Sequence, residues 1–199
     1  MEQFKEVSQN YTLPEAIREA QRCLGCKVPG CKKGCPIGND IPDWISQLAK
    51  GNFGNAIEII RSRSNLPAVC GRVCAHERQC EGNCALAKSG KHINIGKLER
   101  FVADFDSAAG LDHDMIPEKT KGQVAVIGSG PAGLTIAGDL ARKGFNVEIF
   151  EMEREAGGVL LYGIPEYRLP KEVVRHEIAK ISALGVKFHL GVTIGEDMT

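Results

Sequence analysis

Aromatic residues are scarce in this 199-residue chain: Phe, Tyr and Trp make up 6%, with a single tryptophan. The core must therefore be built mostly from aliphatic side chains, and a thin one is expected. Net charge is also absent, with 25 basic and 25 acidic residues. That removes the general basic field with which a protein holds nucleic acid or an anionic membrane surface. No apolar run nears the roughly 18 residues of a spanning helix. The opening "MEQFKEVSQN" has no apolar stretch of the kind a secretory signal needs. No nucleic-acid or membrane partner is expected, and the chain reads as soluble and cytoplasmic. Cysteine is missing from every position after Cys84, and no Ser-His-Asp or cysteine-nucleophile motif occurs.

What is present is lopsided. All eight cysteines stand before residue 85, whereas the part after residue 122 is rich in Gly, Val and Ile. Two domains follow, 1–115 and 120–199, joined through the polar stretch 106–122, which contains Gly and Pro and has no long apolar period. In a reducing compartment, clustered cysteines point to metal ligands or redox groups rather than disulfides.

The first domain reads as short helices. Thr12 and Glu15 form a capping box. Asp40, Pro42 and Gly51 frame another helix. Phe53, Ala56, Ile57 and Ile60 share one face. Ile95, Leu98, Phe101, Val102 and Phe105 share another, after Asn94. So thin a core calls for a bound inorganic group as a source of stability.

The first thiol group, "CLGCKVPGCKKGCP", has the spacing C-x2-C-x4-C-x3-C-P over Cys23, Cys26, Cys31 and Cys35. The second, "CGRVCAHERQCEGNC", holds Cys70, Cys74, Cys80 and Cys84. Three thiols in a short loop with a fourth before proline is ferredoxin-style spacing, in which the last cysteine often serves the other cluster. Zinc is the rival reading. It favours C-x2-C pairs on a longer arm, and only Cys23 and Cys26 form one. A non-catalytic zinc-binding interaction module is therefore the alternative of another class. Lys27, Lys32, Lys33, Arg72 and Arg78, scattered among the thiols, are expected to be solvated.

These segments, with "HINIGKLERFV", resemble the N-terminal iron–sulfur domain shared by glutamate synthase small (β) subunits, dihydropyrimidine dehydrogenase and the large subunit of NADH-dependent ferredoxin:NADP oxidoreductase. The resemblance implies two [4Fe–4S] clusters. One would use Cys23, Cys26, Cys31 and Cys84. The other would use Cys35, Cys74, Cys80 and, in place of a fourth thiol, Glu99, which leaves Cys70 spare, with Cys70 as the rival donor.

The second domain carries "QVAVIGSGPAGLTIAGDLARKGFNVEIFE". A strand (Val124–Ile127) runs into Gly128, Ser129, Gly130, Pro131, Ala132 and Gly133. A helix follows with Leu134, Ala137 and Leu140 inward, then a strand over Val147–Phe150 ending at Glu151. This is the full βαβ context of a dinucleotide fingerprint. Gly128 allows the turn, Gly130 the approach of a pyrophosphate and Gly133 close helix–strand packing. The helix N-terminus faces the anion, and Glu151 is spaced to accept ribose hydroxyls. A helix over 170–184, stopped by Gly185, and a strand over 186–190 come next. His176 and His189 read as packing or surface residues, and Arg168 and Lys171 as solvated charges.

The fingerprint leaves FAD and NAD open. "GSGPAG" with "EREAGGVLLYGIPEYRLP" is similar to the FAD-binding start of the same small subunit and of adrenodoxin-reductase-like flavoproteins. There Gly157, Gly158 and Val159 would line the flavin. The resemblance implies an α + α/β fold: an all-helical two-cluster domain followed by a partial Rossmann-like FAD domain. It implies an oxidoreductase that passes electrons from NADPH through FAD and both clusters to a large synthase or amidotransferase subunit or an equivalent acceptor. Glutamate biosynthesis comes first, and ferredoxin:NADP reduction or pyrimidine reduction is the alternative. No second glycine-rich nucleotide motif is present, so a truncated piece of a longer enzyme is expected. Alone it is expected to be inactive with NADPH, weak for FAD and open to self-association through an unpaired sheet edge.

Overall fold

At Thr12 the backbone N–H and the hydroxyl both donate to the Glu15 carboxylate, at 2.8 and 2.6 Å. This capping box opens α1 (Leu13–Gln21). The structure is a computed structural model that describes residues 6–110 and 116–198. Four short helices follow: α2 (Gly30–Gly34), α3 (Ile41–Ala49), α4 (Phe53–Arg61) and α5 (Pro67–Val73). The longer α6 (Ile95–Ala109) comes after them. Asp40 stands at the start of α3 as expected, but its carboxylate holds Lys32 instead of capping the helix.

The chain divides into two compact units, Ser8–Asp112 and His113–Thr199 together with Met1–Val7. Among the described residues of the first unit, every regular element is helical. Its core is small and mostly aliphatic: Ile45, Leu48, Ile60, Ile95 and Leu98, with Trp44 fully buried. The scarce aromatics are pooled. Phe53 of α4 sits 4.5 Å from Phe105 and 6.3 Å from Phe101 of α6, ring centre to ring centre. α5 lies along α6. A Cβ on Gly71 would stand 2.5 Å from the Arg100 backbone nitrogen, so only glycine allows that approach.

The joining segment starts later than the sequence suggests. α6 runs to Ala109 and stops at Gly110, whose φ is 62°. Asp106, taken as linker, is buried against Arg61 at 2.7 Å. A polar residue looked like linker because its partner lies 45 positions away. Residues 111–115 of the expected linker lie outside the described residues.

The second unit holds β1 (Gln123–Ile127), α7 (Pro131–Arg142) and β2 (Asn146–Glu151). After them come α8 (Val159–Tyr162), α9 (Lys171–Ala183) and β3 (Lys187–Leu190). The three strands are parallel in the order β1-β2-β3, with Val126 opposite Ile149 and Ile149 opposite Phe188. On α7 the buried positions are Leu134, Ala137, Gly138 and Ala141. Leu140, expected to point inward, is only half-buried, whereas its neighbour Ala141 is buried. α9 ends at Gly185, whose φ of 88° stops the helix.

Candidate cofactor sites

The two thiol segments meet through glycine. A Cβ on Gly30 would lie 2.2 Å from the Asn83 carbonyl oxygen, and one on Gly34 would lie 2.6 Å from that of Gln79. The helix that carries Cys31 and ends at Cys35 is thereby pressed onto the loop that carries Cys80 and Cys84. No spacing rule signals this. The sign in the sequence is the pair of glycines four apart, each beside a cysteine.

All eight cysteines are free thiols. They sort into two neighbourhoods. Cys31 lies among Cys23, Cys84 and Cys26, and Cys23 feels Cys26 and Cys84. Cys74 and Cys80 lie with Cys35, Cys70 and Glu99. The first set lines a cavity whose other walls include Ile41, Ile45, Ile93 and Ile95. The second set is closed by α6, on which Glu99 is buried at 9% exposure.

Burial governs the protonation of these thiols. It pushes Cys31 up to about 11, with the neighbouring thiols adding to the rise. It pushes Cys80 up to about 12, with help from the Glu81 and Glu99 carboxylates. Cys23 rises for the same reason. Cys74 moves the other way, because the Cys70 thiol hydrogen-bonds its sulfur. Raised in this way, Cys31 and Cys80 ionise readily only against a strong positive charge, and a metal centre provides one. Among the described residues, no three His, Cys, Asp or Glu side chains converge as they would on one ion. The four thiols of the first set line one cavity, so these residues fit an iron–sulfur cluster, a body with several metal corners.

Around the thiols, Lys27, Lys33 and Arg78 are exposed as expected. Arg72 is not: it grips Asp104 through two hydrogen bonds, at 2.9 and 2.8 Å. Lys32 is tied to Asp40. The start of α6 is anchored by carboxylates from afar. Glu19 accepts the Asn94 N–H at 2.9 Å, and Glu81 accepts the Gly96 N–H at 3.0 Å. Neither glutamate stood out in the sequence.

In the second unit the glycine-rich turn joins β1 to α7. Gly128 has φ 90°, and a Cβ on Gly133 would stand 2.0 Å from the Gly128 carbonyl oxygen. Gly130 precedes α7, which opens on Pro131, so the free N–H groups of the first turn head the helix. Glu151 is buried and turned toward this loop. Its Oε2 accepts the Ser129 N–H at 2.7 Å and the Ser129 hydroxyl at 2.6 Å, and its Oε1 accepts the Glu153 N–H. Burial acts to raise its pKa. The Ser129 hydroxyl and the N–H groups of Glu153, Ser129 and Met152 outweigh that and leave it lowered.

Ser129 Oγ also accepts the Gly157 N–H at 3.0 Å, so one buried serine links the two glycine segments. Gly158 passes close enough that a Cβ there would lie 2.8 Å from the Gly130 Cα. Val159 is exposed at the start of α8. Lys171, expected to be solvated, instead donates to the carbonyls of Leu160 and Ile164. His189 stacks on Phe150 at 4.6 Å and pairs with Glu148, while His176 and Arg168 are exposed.

A thiol-lined helical unit and a glycine-turn βαβ unit in one chain define the class: a two-unit protein for iron–sulfur and dinucleotide cofactors. Residues 1–111 match the model of the family described as dihydropyrimidine dehydrogenase domain II, 4Fe-4S cluster, and the chain belongs to that family. Residues 126–179 match a model of NAD(P)-binding Rossmann-like domains. The chain is 41% identical over 197 residues to the glutamate synthase [NADPH] small chain of Halomonas elongata, covering 98% of this chain and 42% of that one. It is 40% identical over 194 residues to the NAD-dependent dihydropyrimidine dehydrogenase subunit PreT of Escherichia coli (strain K12), covering 98% and 47%. The chain thus spans under half the length of these relatives. The solved structure of 6-hydroxypseudooxynicotine amine oxidase from Pseudomonas geniculata N1 overlaps 85% of this chain and 22% of its own. Its TM-score is 0.37 and its identity 20%, too slight a likeness to carry an argument.

Proposed function

We propose that this chain is the electron-entry part of an NAD(P)H-dependent iron–sulfur flavoprotein oxidoreductase. The observation that carries the reading is the sorting of the thiols of one unit into two neighbourhoods, Cys23, Cys26, Cys31 and Cys84 in the first and Cys35, Cys70, Cys74 and Cys80 with Glu99 in the second, together with a complete dinucleotide turn in the other unit.

In this reading Cys23, Cys26, Cys31 and Cys84 hold one [4Fe–4S] cluster, and Cys35, Cys74, Cys80 and Glu99 hold the second. Gly128 to Gly133, Gly157, Gly158 and Val159 cradle FAD. The backbone N–H groups at the head of α7 meet its pyrophosphate. Glu151 fixes the turn through Ser129 and uses its remaining lone pairs on the ribose. Bound there, the flavin supplies hydride acceptance from NADPH and the clusters supply one-electron carriage. The aliphatic walls contributed by Ile41, Ile45, Ile93 and Ile95 keep water from the first thiol set. The acceptor is a partner subunit. The Halomonas relative is named for glutamate synthase and PreT for dihydropyrimidine dehydrogenase, at 41% and 40% identity. Both fit an entry module that leaves the final substrate to its partner, and glutamate synthesis is the first assignment.

The test is analysis of the chain reconstituted without oxygen. About eight irons and eight inorganic sulfides per chain are expected, with a brown colour. A colourless protein holding only stoichiometric zinc would overturn the reading.

A further inference from the structure

Cys70 is the one thiol to which the cluster reading gives no iron, yet it lies in the second neighbourhood. It lies on α5, four residues before Cys74, and its carbonyl accepts the Cys74 N–H at 3.2 Å. Its thiol hydrogen-bonds the Cys74 sulfur. On its other side the Ser64 hydroxyl lies 3.7 Å from the Cys70 sulfur. Ser64 is itself buried, at 3% exposure. Three groups are therefore in contact one after another: the Ser64 hydroxyl, the Cys70 thiol and the Cys74 sulfur.

The direction of this line follows from what each group can donate. Cys74, once it binds metal, is a thiolate and can only accept. The Cys70 S–H is then the donor to it, a weak one that gains from the charge on its acceptor. With its S–H directed at Cys74, the Cys70 sulfur can still accept a hydrogen bond, and the Ser64 hydroxyl is placed to donate it. The Gly71 contact with the α6 backbone fixes α5 against the helix that carries Glu99, so the line cannot easily swing away.

We propose that Cys70 is a positioning residue and not an iron ligand. Oriented by Ser64, it donates a hydrogen bond to the Cys74 thiolate and sets the potential of the second cluster. Hydrogen bonds to ligating sulfur stabilise the more negative, reduced state and raise the reduction potential. The first cluster, held by Cys23, Cys26, Cys31 and Cys84, keeps its potential. The inference rests on the cluster reading above.

The experiment compares the reconstituted full chain with Cys70→Ala, Cys70→Ser and Ser64→Ala, by iron analysis and by EPR-monitored redox titration. Wild type carries about eight irons. Cys70→Ala keeps them, and one of its two midpoint potentials falls while the other stays. Cys70→Ser, which retains a hydroxyl donor, returns most of the shift. Ser64→Ala shifts the same potential in the same direction by less.

Loss of half the iron in Cys70→Ala would make Cys70 a ligand and overturn the proposal. Full iron with both potentials unchanged would overturn it too, and would leave the cluster reading standing. Should Cys70→Ala not fold, an unshifted Ser64→Ala overturns it by itself. A wild type that binds no cluster removes the cluster reading and this inference together.

Discussion

The dinucleotide unit builds its site from one stretch of chain, whereas the thiol unit builds its sites from segments about fifty residues apart. In the first case the chemistry is mostly backbone: Gly128, Gly130 and Gly133 are placed by the strand and helix on either side of them. In the second it is side chains, brought together only by tertiary packing at Gly30, Gly34 and Gly71. The contrast extends to electrostatics. Glu151 is stabilised in its charged form by hydroxyl and N–H donors that the fold itself provides. Cys31 and Cys80 are held in the protonated form until something outside the chain supplies positive charge. A site made of backbone is complete without its ligand. A site made of buried thiols is not.

The largest expected effect breaks that comparison at its root. Stripping iron from the reconstituted chain with a chelator should unfold much of the helical unit and leave the βαβ unit in place. Binding of structural metal is worth on the order of 10 kcal/mol to such domains. Limited proteolysis followed by mass spectrometry would show cuts spreading through residues 8–110 while 123–190 stay protected. Equal protection of both units before and after chelation would contradict the account.

Next in size are the glycine contacts. Gly133→Ala places a Cβ 2.0 Å from a carbonyl in the second unit, and Gly30→Ala places one 2.2 Å from a carbonyl in the first. Each should cost about 1–3 kcal/mol by overpacking, measured by denaturant unfolding of the reconstituted protein. The two should differ in kind. Gly30→Ala should also lower iron content, because it pries the two thiol segments apart, and Gly133→Ala should leave iron unchanged.

How much of this was legible in the sequence follows the same division. The βαβ elements were readable almost to the residue, because strand, glycine turn and helix are local patterns. Leu140 and Lys171 were misplaced. Whether a side chain meets the sheet or a neighbouring carbonyl depends on packing that a helical period does not fix. In the helical unit the Thr12 capping box and the apolar faces were readable, but Asp40 holds Lys32 and caps nothing. Asp106 and Arg72 were not readable, because their partners, Arg61 and Asp104, lie 45 and 32 residues away. Ferredoxin-style spacing suggested that the last cysteine serves the other cluster, but which thiols share a set was implied by resemblance alone. Spacing within each segment says nothing of how Cys84 reaches Cys31.

A smaller effect sharpens the electrostatic half of the contrast. Because the folded-state pKa of Glu151 is lowered, its contribution to stability is fully present above the ordinary glutamate value of 4.5. It should fade as pH falls below that value and through the lowered one. Glu151→Gln should flatten this acid limb for the second unit and leave the helical unit's acid response as it was. Thermal unfolding between pH 6 and pH 3 would measure it.

The central claim is that the thiols serve two separate centres, one drawing on Cys31 and the other on Cys80. Iron content and EPR of Cys31→Ala and Cys80→Ala, each reconstituted without oxygen, test it most directly. Each variant should keep about four of eight irons, and the signals that survive should differ between the two and sum to that of the wild type. If either substitution abolished both signals, or if both variants lost the same one, the two-centre account would be contradicted.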